Sequence, residues 1–396
     1  MEQVWVDGRA ESVRRLSRVL EAALDGGPAV LPLSSRDPAA PALADAMRPD
    51  DPVEPGTALI VATSGSTGAP KGVLLAADAL IASATATHAR LGGPGHWLLA
   101  TPAHYIGGLQ VLIRSLLADT TPGVLDLTDG FRPDTFAEAA RGVLRTAGPR
   151  YTALVPTQLH RLLDAGGAGL DAARAFDAVI VGGAATAPEL RTRATEAGVS
   201  LIGAYGMSET ASGCVYDGFP LDGVHVRLAT TDARKAGRIV IAGDVLAHGY
   251  RGDPEATAAT FRDGWFHTSD LGQIADDGRL EVLGRTDDVI NTGGVKVPAG
   301  VVEHALLEHP GVREACVVAV PNSQWGEIVA AAIIPADPEH PPVQTELTLL
   351  VRRRAGAAAV PRMLRVLGQL PVRGPGKTDR AAVRAMLDGG TTEIQP

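Results

Sequence analysis

The chain has 396 residues, of which 45% are hydrophobic and 20% charged, and its formal net charge is -9. That length exceeds what one hydrophobic core usually serves, so two or more domains are expected, and the acidic balance opposes sequence-independent attraction to nucleic acid or to an anionic membrane. Two distant cysteines, Cys214 and Cys316, argue against a disulfide framework or a cysteine metal site, and no apolar run reaches the length of a membrane span, so a soluble protein of the reducing cytoplasm is expected.

In chain order, Val13, Leu16, Leu20 and Leu24 recur at helical spacing and predict a helix over Glu11 to Asp25, followed by a short strand at Ala29 to Leu33. Ser34 to Gly56, rich in proline and aspartate, reads as loop with a short helical piece around Ala42 to Met47. A strand at Leu59 to Ala62 is followed by strand patterns at Trp97 to Thr101, Gly123 to Leu127, Tyr151 to Val155, Ala178 to Val181 and Ser200 to Ala204, with helices between them. Alternation of this kind implies parallel sheets, in which ligands sit at the carboxyl ends of the strands. After about Leu221 come shorter β-like runs, Val224 to Leu228, Arg238 to Ala242 and Arg279 to Leu283.

The turn-prone Gly284-Arg285-Thr286-Asp287-Asp288 is read as a domain boundary. Beyond it, strands at Val317 to Val320 and Val329 to Ile334, a helix at Leu347 to Ala358 and another ending near Leu387 make a small α+β domain. The expected fold class is α/β: a large N-terminal domain, 1–286, with parallel-rich sheets flanked by helices, and a small C-terminal domain, 287–396.

The most informative segment is Thr63-Ser64-Gly65-Ser66-Thr67-Gly68-Ala69-Pro70-Lys71-Gly72, directly after the Leu59 to Ala62 strand. Its glycines let backbone N–H groups converge on an anion, its hydroxyls donate further hydrogen bonds, and Lys71 adds a point charge. It is not a Walker A loop, because Pro70 precedes the lysine and Gly72 follows it. Thr63, Ser64, Gly65, Ser66, Thr67, Gly68 and Lys71 are therefore candidates to hold phosphate.

With four further segments in order, the chain resembles the adenylate-forming superfamily of acyl-CoA synthetases and adenylation domains from about Leu59 to Arg380. The resemblance implies activation of a carboxylate by ATP to an acyl adenylate and transfer of the acyl group to a thiol, with ATP and CoA as cosubstrates and Mg2+ as cofactor. In Ala204-Tyr205-Gly206-Met207-Ser208-Glu209-Thr210 it implies that Tyr205 stacks on adenine, Ser208 contacts the α-phosphate and Glu209 helps hold Mg2+. A carboxylate beside a triphosphate needs a hard cation between them, which makes that role physically sensible. Asp270 and Arg285 correspond to residues at the ribose, Asp287 to the hinge about which the small domain turns, and Gly293 and Gly294 to the pantetheine channel. Lys296 is given no catalytic role. Lys377 corresponds to the lysine that bridges the attacking carboxylate and the α-phosphate, where an ammonium stabilises developing charge without losing its proton.

For the acyl pocket the resemblance indicates His104, Tyr105 and Gly108, the helix carrying Arg114, and a wall from Gly182, Gly183 and Ala184. The segment is similar to that of the 2-succinylbenzoate CoA ligases of menaquinone synthesis, in which an arginine at the position of Arg114 helps hold the benzoate carboxylate. Relatives commonly have histidine at the position of Tyr105, so the individual roles of His104 and Tyr105 stay open. So do a CoA ligase for another aromatic or short acid, an enzyme charging a carrier protein, and a silent adenylate-binding protein. Thr63 comes early compared with typical members of the superfamily, and a homodimer is an open alternative by which a shortened N-terminal region is offset.

Overall fold

The computed structural model describes residues 1–64, 70–229, 236–373 and 377–388. The chain divides into two compact units, residues 1–185, 193–227 and 240–268 in one and 186–192, 228–239 and 269–396 in the other.

From the N-terminus come β1 (Glu2–Val6), α1 (Ala10–Leu24), β2 (Val30–Ser34), α2 (Ala40–Ala46), β3 (Leu59–Ser64) and β4 (Pro70–Leu75). The α1 helix buries Val13, Leu16 and Leu20, the stripe that its spacing required. Then follow α3 (Ala77–Leu91), β5 (His96–Leu99), α4 (Ile106–Leu117), β6 (Gly123–Val124), α5 (Pro133–Leu144), β7 (Arg150–Leu154), α6 (Pro156–Ala165), α7 (Gly167–Arg174), β8 (Ala178–Val181) and α8 (Pro188–Glu196). β9 (Leu201–Met207) leads through a 3₁₀ turn, Ser208–Thr210, to β10 (Ser212–Tyr216) and β11 (Phe219–Pro220). Next are β12 (Val224–Ala229), β13 (Gly237–Gly243), β14 (Gly249–Tyr250), α9 (Pro254–Thr260), β15 (Phe261–Arg262), β16 (Trp265–Ile274) and β17 (Leu280–Arg285).

The alternation expected from the sequence is realised in a sheet of order β11-β10-β9-β8-β7-β5-β6, in which β9, β8, β7, β5 and β6 run parallel, β10 runs antiparallel to β9, and β11 runs antiparallel to β10. Another sheet, β1-β2-β3-β4-β14, is mixed. β1 and β3 flank β2 in parallel, but β3 and β4 form an antiparallel pair with Thr63 opposite Lys71. The next described element after β3 is therefore an antiparallel partner strand, an arrangement that the apolar run Leu59 to Ala62 did not announce. A further sheet has the order β12-β13-β16-β15 with β17 beside β16.

The C-terminal part of the second unit contains β18 (Val289–Thr292), β19 (Val295–Pro298), α10 (Ala299–Leu307), β20 (Val312–Asn322), β21 (Gly326–Pro335), α11 (Gln344–Ala355), β22 (Met363–Val366), β23 (Val372–Arg373), β24 (Lys377–Thr378) and α12 (Arg380–Asp388). β20 and β21 are buried on both faces, which explains their continuous apolar runs. Val317, Val329, Ala331 and Ile333 pack with α10 and α11 residues such as Val302, Leu306 and Leu347. Cys316, Val318, Ala330 and Ala332 pack with Val383 and Leu387 of α12. Cys214 and Cys316 are both buried and unpaired. Among the described residues no helix is long and apolar enough to cross a membrane.

Candidate active site

Because β5, β7, β8 and β9 are parallel, their carboxyl ends line one edge of their sheet, and that edge gathers most of the residues singled out in the first unit. His104 and Tyr105 follow β5, with ring centroids 4.1 Å apart. Burial holds His104 near pKa 4, against the opposing charge of Asp37, so its imidazole is neutral at pH 7. Gly108 sits in the first turn of α4, where any Cβ would collide with the Pro102 carbonyl; only glycine lets the helix start this close to the strand end. Gly182, Gly183 and Ala184 follow β8, the last two exposed.

Tyr205 lies near the end of β9, and Ser208 and Glu209 occupy the turn after it. Thr210 fastens this turn: its Oγ1 accepts from the Met207 N–H at 3.0 Å and donates to the Ser212 carbonyl at 2.7 Å. Ala211 (φ 48°) and Ser212 (φ 98°) then take positive φ, a conformation costly for residues with a Cβ and common at functional sites. The buried Ser83 hydroxyl supports the bend by donating to the Ala211 carbonyl at 2.9 Å.

Glu209 is tied to the phosphate-loop hairpin through β14. The Tyr250 hydroxyl donates to Glu209 Oε1 at 3.0 Å, and Lys71 Nζ lies 5.1 Å from the centroid of the same ring. Thr63 Oγ1 donates to the Lys71 carbonyl at 3.2 Å. Ser64 ends β3 opposite Pro70, while Gly65, Ser66, Thr67 and Gly68 lie outside the described residues. Among the described residues no group of three or more His, Cys, Asp or Glu could hold a metal ion. A single carboxylate such as Glu209 nevertheless suits Mg2+, which keeps several waters and is usually held by one or two carboxylates plus substrate phosphates.

Arg251 secures the far end of this hairpin. Its amide donates to the Gly72 carbonyl at 2.7 Å, and its guanidinium donates to the carbonyls of Met47, Arg48, Asp51 and Pro52 and to Glu54 Oε2 at 2.8 Å. Nothing in the spacing of the sequence pointed to Tyr250 or Arg251, although the segment Gly249-Tyr250-Arg251-Gly252-Asp253-Pro254 carries an evident turn signal.

Arg114 lies two turns into α4 and is only 2% exposed. Its guanidinium carbon sits 5.0 Å from the Trp97 ring centroid, and its Nε and Nη2 have no hydrogen-bond partner. Trp97 Nε1 donates to His88 Nε2 at 3.4 Å, and burial, reinforced by the Arg114 charge, brings His88 to about pKa 4. A neutral imidazole is what that acceptor role requires. A buried guanidinium with two unmade donors is costly unless an anion meets it.

In the second unit Asp270 of β16 stands opposite Arg285 of β17, with Arg285 Nη1 3.4 Å from Asp270 Oδ1. The other guanidinium nitrogen, Nη2, donates to Asp287 Oδ2 at 2.7 Å, so the two ribose candidates and the hinge candidate form one charged chain. Gly293 (φ 58°) and Gly294 (φ 82°) form the turn between β18 and β19. The backbone of Lys377 pairs with Arg373 in the β23–β24 hairpin.

The AMP-binding enzyme family matches residues 7–251, and the C-terminal domain of AMP-binding enzymes matches residues 301–377. The chain belongs to the AMP-binding enzymes. This AMP-binding enzyme is 44% identical over 343 residues, 86% of this chain and 87% of the relative, to a probable 2-succinylbenzoate–CoA ligase of Mycobacterium tuberculosis. It is 32% identical over 366 residues, 86% of this chain and 72% of the relative, to a feruloyl-CoA synthase of an Amycolatopsis species. The o-succinylbenzoate CoA synthetase (MenE) from Bacillus subtilis, solved in complex with the acyl-adenylate intermediate OSB-AMP, has the same fold at TM-score 0.75 and 23% identity, covering 99% of this chain and 88% of that one. The expected adenylate-forming fold and the AMP-forming acid–thiol ligase class are thereby established for this AMP-binding enzyme.

Proposed function

We propose that this AMP-binding enzyme is a 2-succinylbenzoate–CoA ligase, converting 2-succinylbenzoate, ATP and CoA to 2-succinylbenzoyl-CoA, AMP and diphosphate in menaquinone synthesis. In the first half-reaction an oxygen of the succinyl carboxylate bonds to the α-phosphorus of ATP and diphosphate leaves. In the second, the CoA thiolate bonds to the acyl carbon and AMP leaves. No general base is needed for the first step, since a carboxylate is already ionised near neutral pH. Catalysis is positioning and charge stabilisation: Lys71 and the segment from Thr63 to Gly68 at the phosphates, Ser208 at the α-phosphate, and Lys377 at the forming bond. Tyr205 faces adenine, and Asp270 and Arg285 the ribose. Glu209 would hold Mg2+, which would supply neutralisation of the phosphate charge. The small domain turns about Asp287 to bring Gly293 and Gly294 to the pantetheine arm for the thiol step. Two buried, unpaired cysteines agree with a reducing cytoplasm.

The observation that carries the substrate is Arg114. A dicarboxylate activated at one end leaves a second carboxylate to be held, and a buried guanidinium with two unmade donors is a matching partner. Ferulate, the acid in the name of the Amycolatopsis relative, has only the carboxylate that is activated and would leave Nε and Nη2 of Arg114 unmatched, the guanidinium keeping only its hydrogen bond to Tyr216. The test is carboxylate-dependent exchange of diphosphate into ATP over a panel of 2-succinylbenzoate, benzoate, ferulate and short fatty acids, followed by addition of CoA. Selection of 2-succinylbenzoate that Arg114→Met abolishes supports the reading. Equal activity with ferulate or benzoate overturns the substrate and keeps the reaction class.

A further inference from the structure

Tyr250 belongs to none of the motifs recognised in the sequence, yet it stands between two groups of opposite charge that the proposed reaction uses. Its hydroxyl donates to Glu209 Oε1 at 3.0 Å, and its ring lies under Lys71 Nζ at 5.1 Å. The residue is itself immobilised. Its amide donates to Thr257 Oγ1 at 2.9 Å, its backbone pairs with Val73 two residues beyond Lys71, and the Phe261 ring backs it at 5.7 Å, with Phe266 stacked behind Phe261 at 5.0 Å. Three residues earlier, the Ala247 amide donates to the Glu209 carbonyl at 2.8 Å, so main chain and side chain of Glu209 are gripped by one segment.

We infer that Tyr250 is a positioning residue that holds the Glu209 carboxylate and the Lys71 ammonium at a fixed separation before nucleotide arrives. The inference rests on the reading that Glu209 serves Mg2+ and Lys71 the phosphates. Left to themselves the two side chains are long and flexible, and an acid and a lysine in a shared pocket attract each other into a direct ion pair. Such a pair would consume the charges needed for Mg2+ and phosphate. A phenol separates them: the hydroxyl satisfies one oxygen of the carboxylate without neutralising it, and the electron-rich face accepts the ammonium without proton transfer.

Calorimetric binding of ATP to the full chain, titrated over Mg2+ concentration, tests this with Tyr250→Phe and Tyr250→Leu beside Glu209→Gln and Lys71→Met. Tyr250→Phe keeps the ring and its packing and removes only the hydroxyl. It is expected to raise the Mg2+ concentration that half-saturates ATP binding about 3- to 10-fold, the scale of releasing one ordered carboxylate side chain, with metal-free ATP affinity and thermal midpoint unchanged. Tyr250→Leu is expected to add a several-fold loss of metal-free ATP affinity, because Lys71 loses its platform. If Glu209→Gln shifts the Mg2+ requirement while Tyr250→Phe does not, the inference fails and the site reading stands. If Glu209→Gln and Lys71→Met change neither quantity, the site reading fails and takes the inference with it. A lowered midpoint in Tyr250→Phe with all binding reduced in proportion also overturns the positioning role.

Discussion

Arg380 Nη2 donates to the Glu303 carboxylate at 2.7 Å inside the second unit. The same guanidinium donates to the Val317 carbonyl at 2.7 Å and lies 3.3 Å from Asp288 Oδ2, while the other Glu303 oxygen accepts from the Val317 amide at 2.7 Å. Burial pushes the Glu303 carboxyl above its ordinary range, against the pull of Arg380. Removing the arginine alone strands that carboxylate. Arg380→Met is expected to cost about 2–4 kcal/mol, somewhat under the range for a fully buried pair because the Arg380 side chain is 34% exposed. Arg380→Met combined with Glu303→Leu is expected to recover most of the loss, as read from denaturant unfolding.

Arg251 makes a second prediction about arginine geometry. Lysine keeps the charge but offers three donors from a point, and it cannot span four carbonyls and Glu54. Arg251→Lys is expected to destabilise the first unit by about 2–4 kcal/mol through acceptors left unmet. It should also weaken ATP binding, because Gly72 and Lys71 are fastened through this segment. Thermal unfolding with and without ATP checks both.

Lys377→Ala is expected to bind ATP almost normally and to lose on the order of 10²–10³ in adenylate formation, the usual scale for removing one group that stabilises transition-state charge. Thioester formation from preformed acyl adenylate should fall far less. Measuring the two half-reactions separately checks it, and unaltered adenylation would remove Lys377 from the mechanism.

His88 and His104 are both held near pKa 4, below the ordinary 6.5, chiefly by burial. Between those values the unfolded chain takes up protons that the folded chain refuses. Their contribution is complete above about pH 6.5 and is lost as the pH falls toward 4. The two sites together should remove on the order of 2–5 kcal/mol over that interval, discounted for the partial exposure of His104. His88→Gln is expected to flatten the fall in stability measured by denaturant at successive pH values.

Much of the parallel sheet could be read from the chain because each of its strands is a short apolar run bounded by helices. The ends of β7 and β8 fall within one residue of the reading. Less visible were strands whose residues alternate or are few. β1 hides in Glu2-Gln3-Val4-Trp5-Val6, and β14 is the two residues Gly249–Tyr250. The position of β14 depends on pairing with β4, more than 170 residues earlier, and no local pattern encodes that. The same holds for the site. Lys71, Glu209, Asp270 and Lys377 lie in compact motifs, whereas Tyr250, Trp97 and Arg251 acquire their meaning from partners distant in sequence. The enclosure of Arg114 was likewise not legible, since a lone arginine on a helix ordinarily extends its head to water.

Both cysteine thiols are pushed up to about pKa 12, principally by burial. At neutral pH neither supplies a meaningful population of thiolate, the form that attacks acyl carbon, disulfides and alkylating reagents. A catalyst that handles a mixed anhydride beside an incoming thiol is exposed to self-acylation and to disulfide capture of its own substrate. Here the protein brings no competing nucleophilic sulfur to that encounter, and iodoacetamide should leave the native enzyme unlabelled and active until it unfolds.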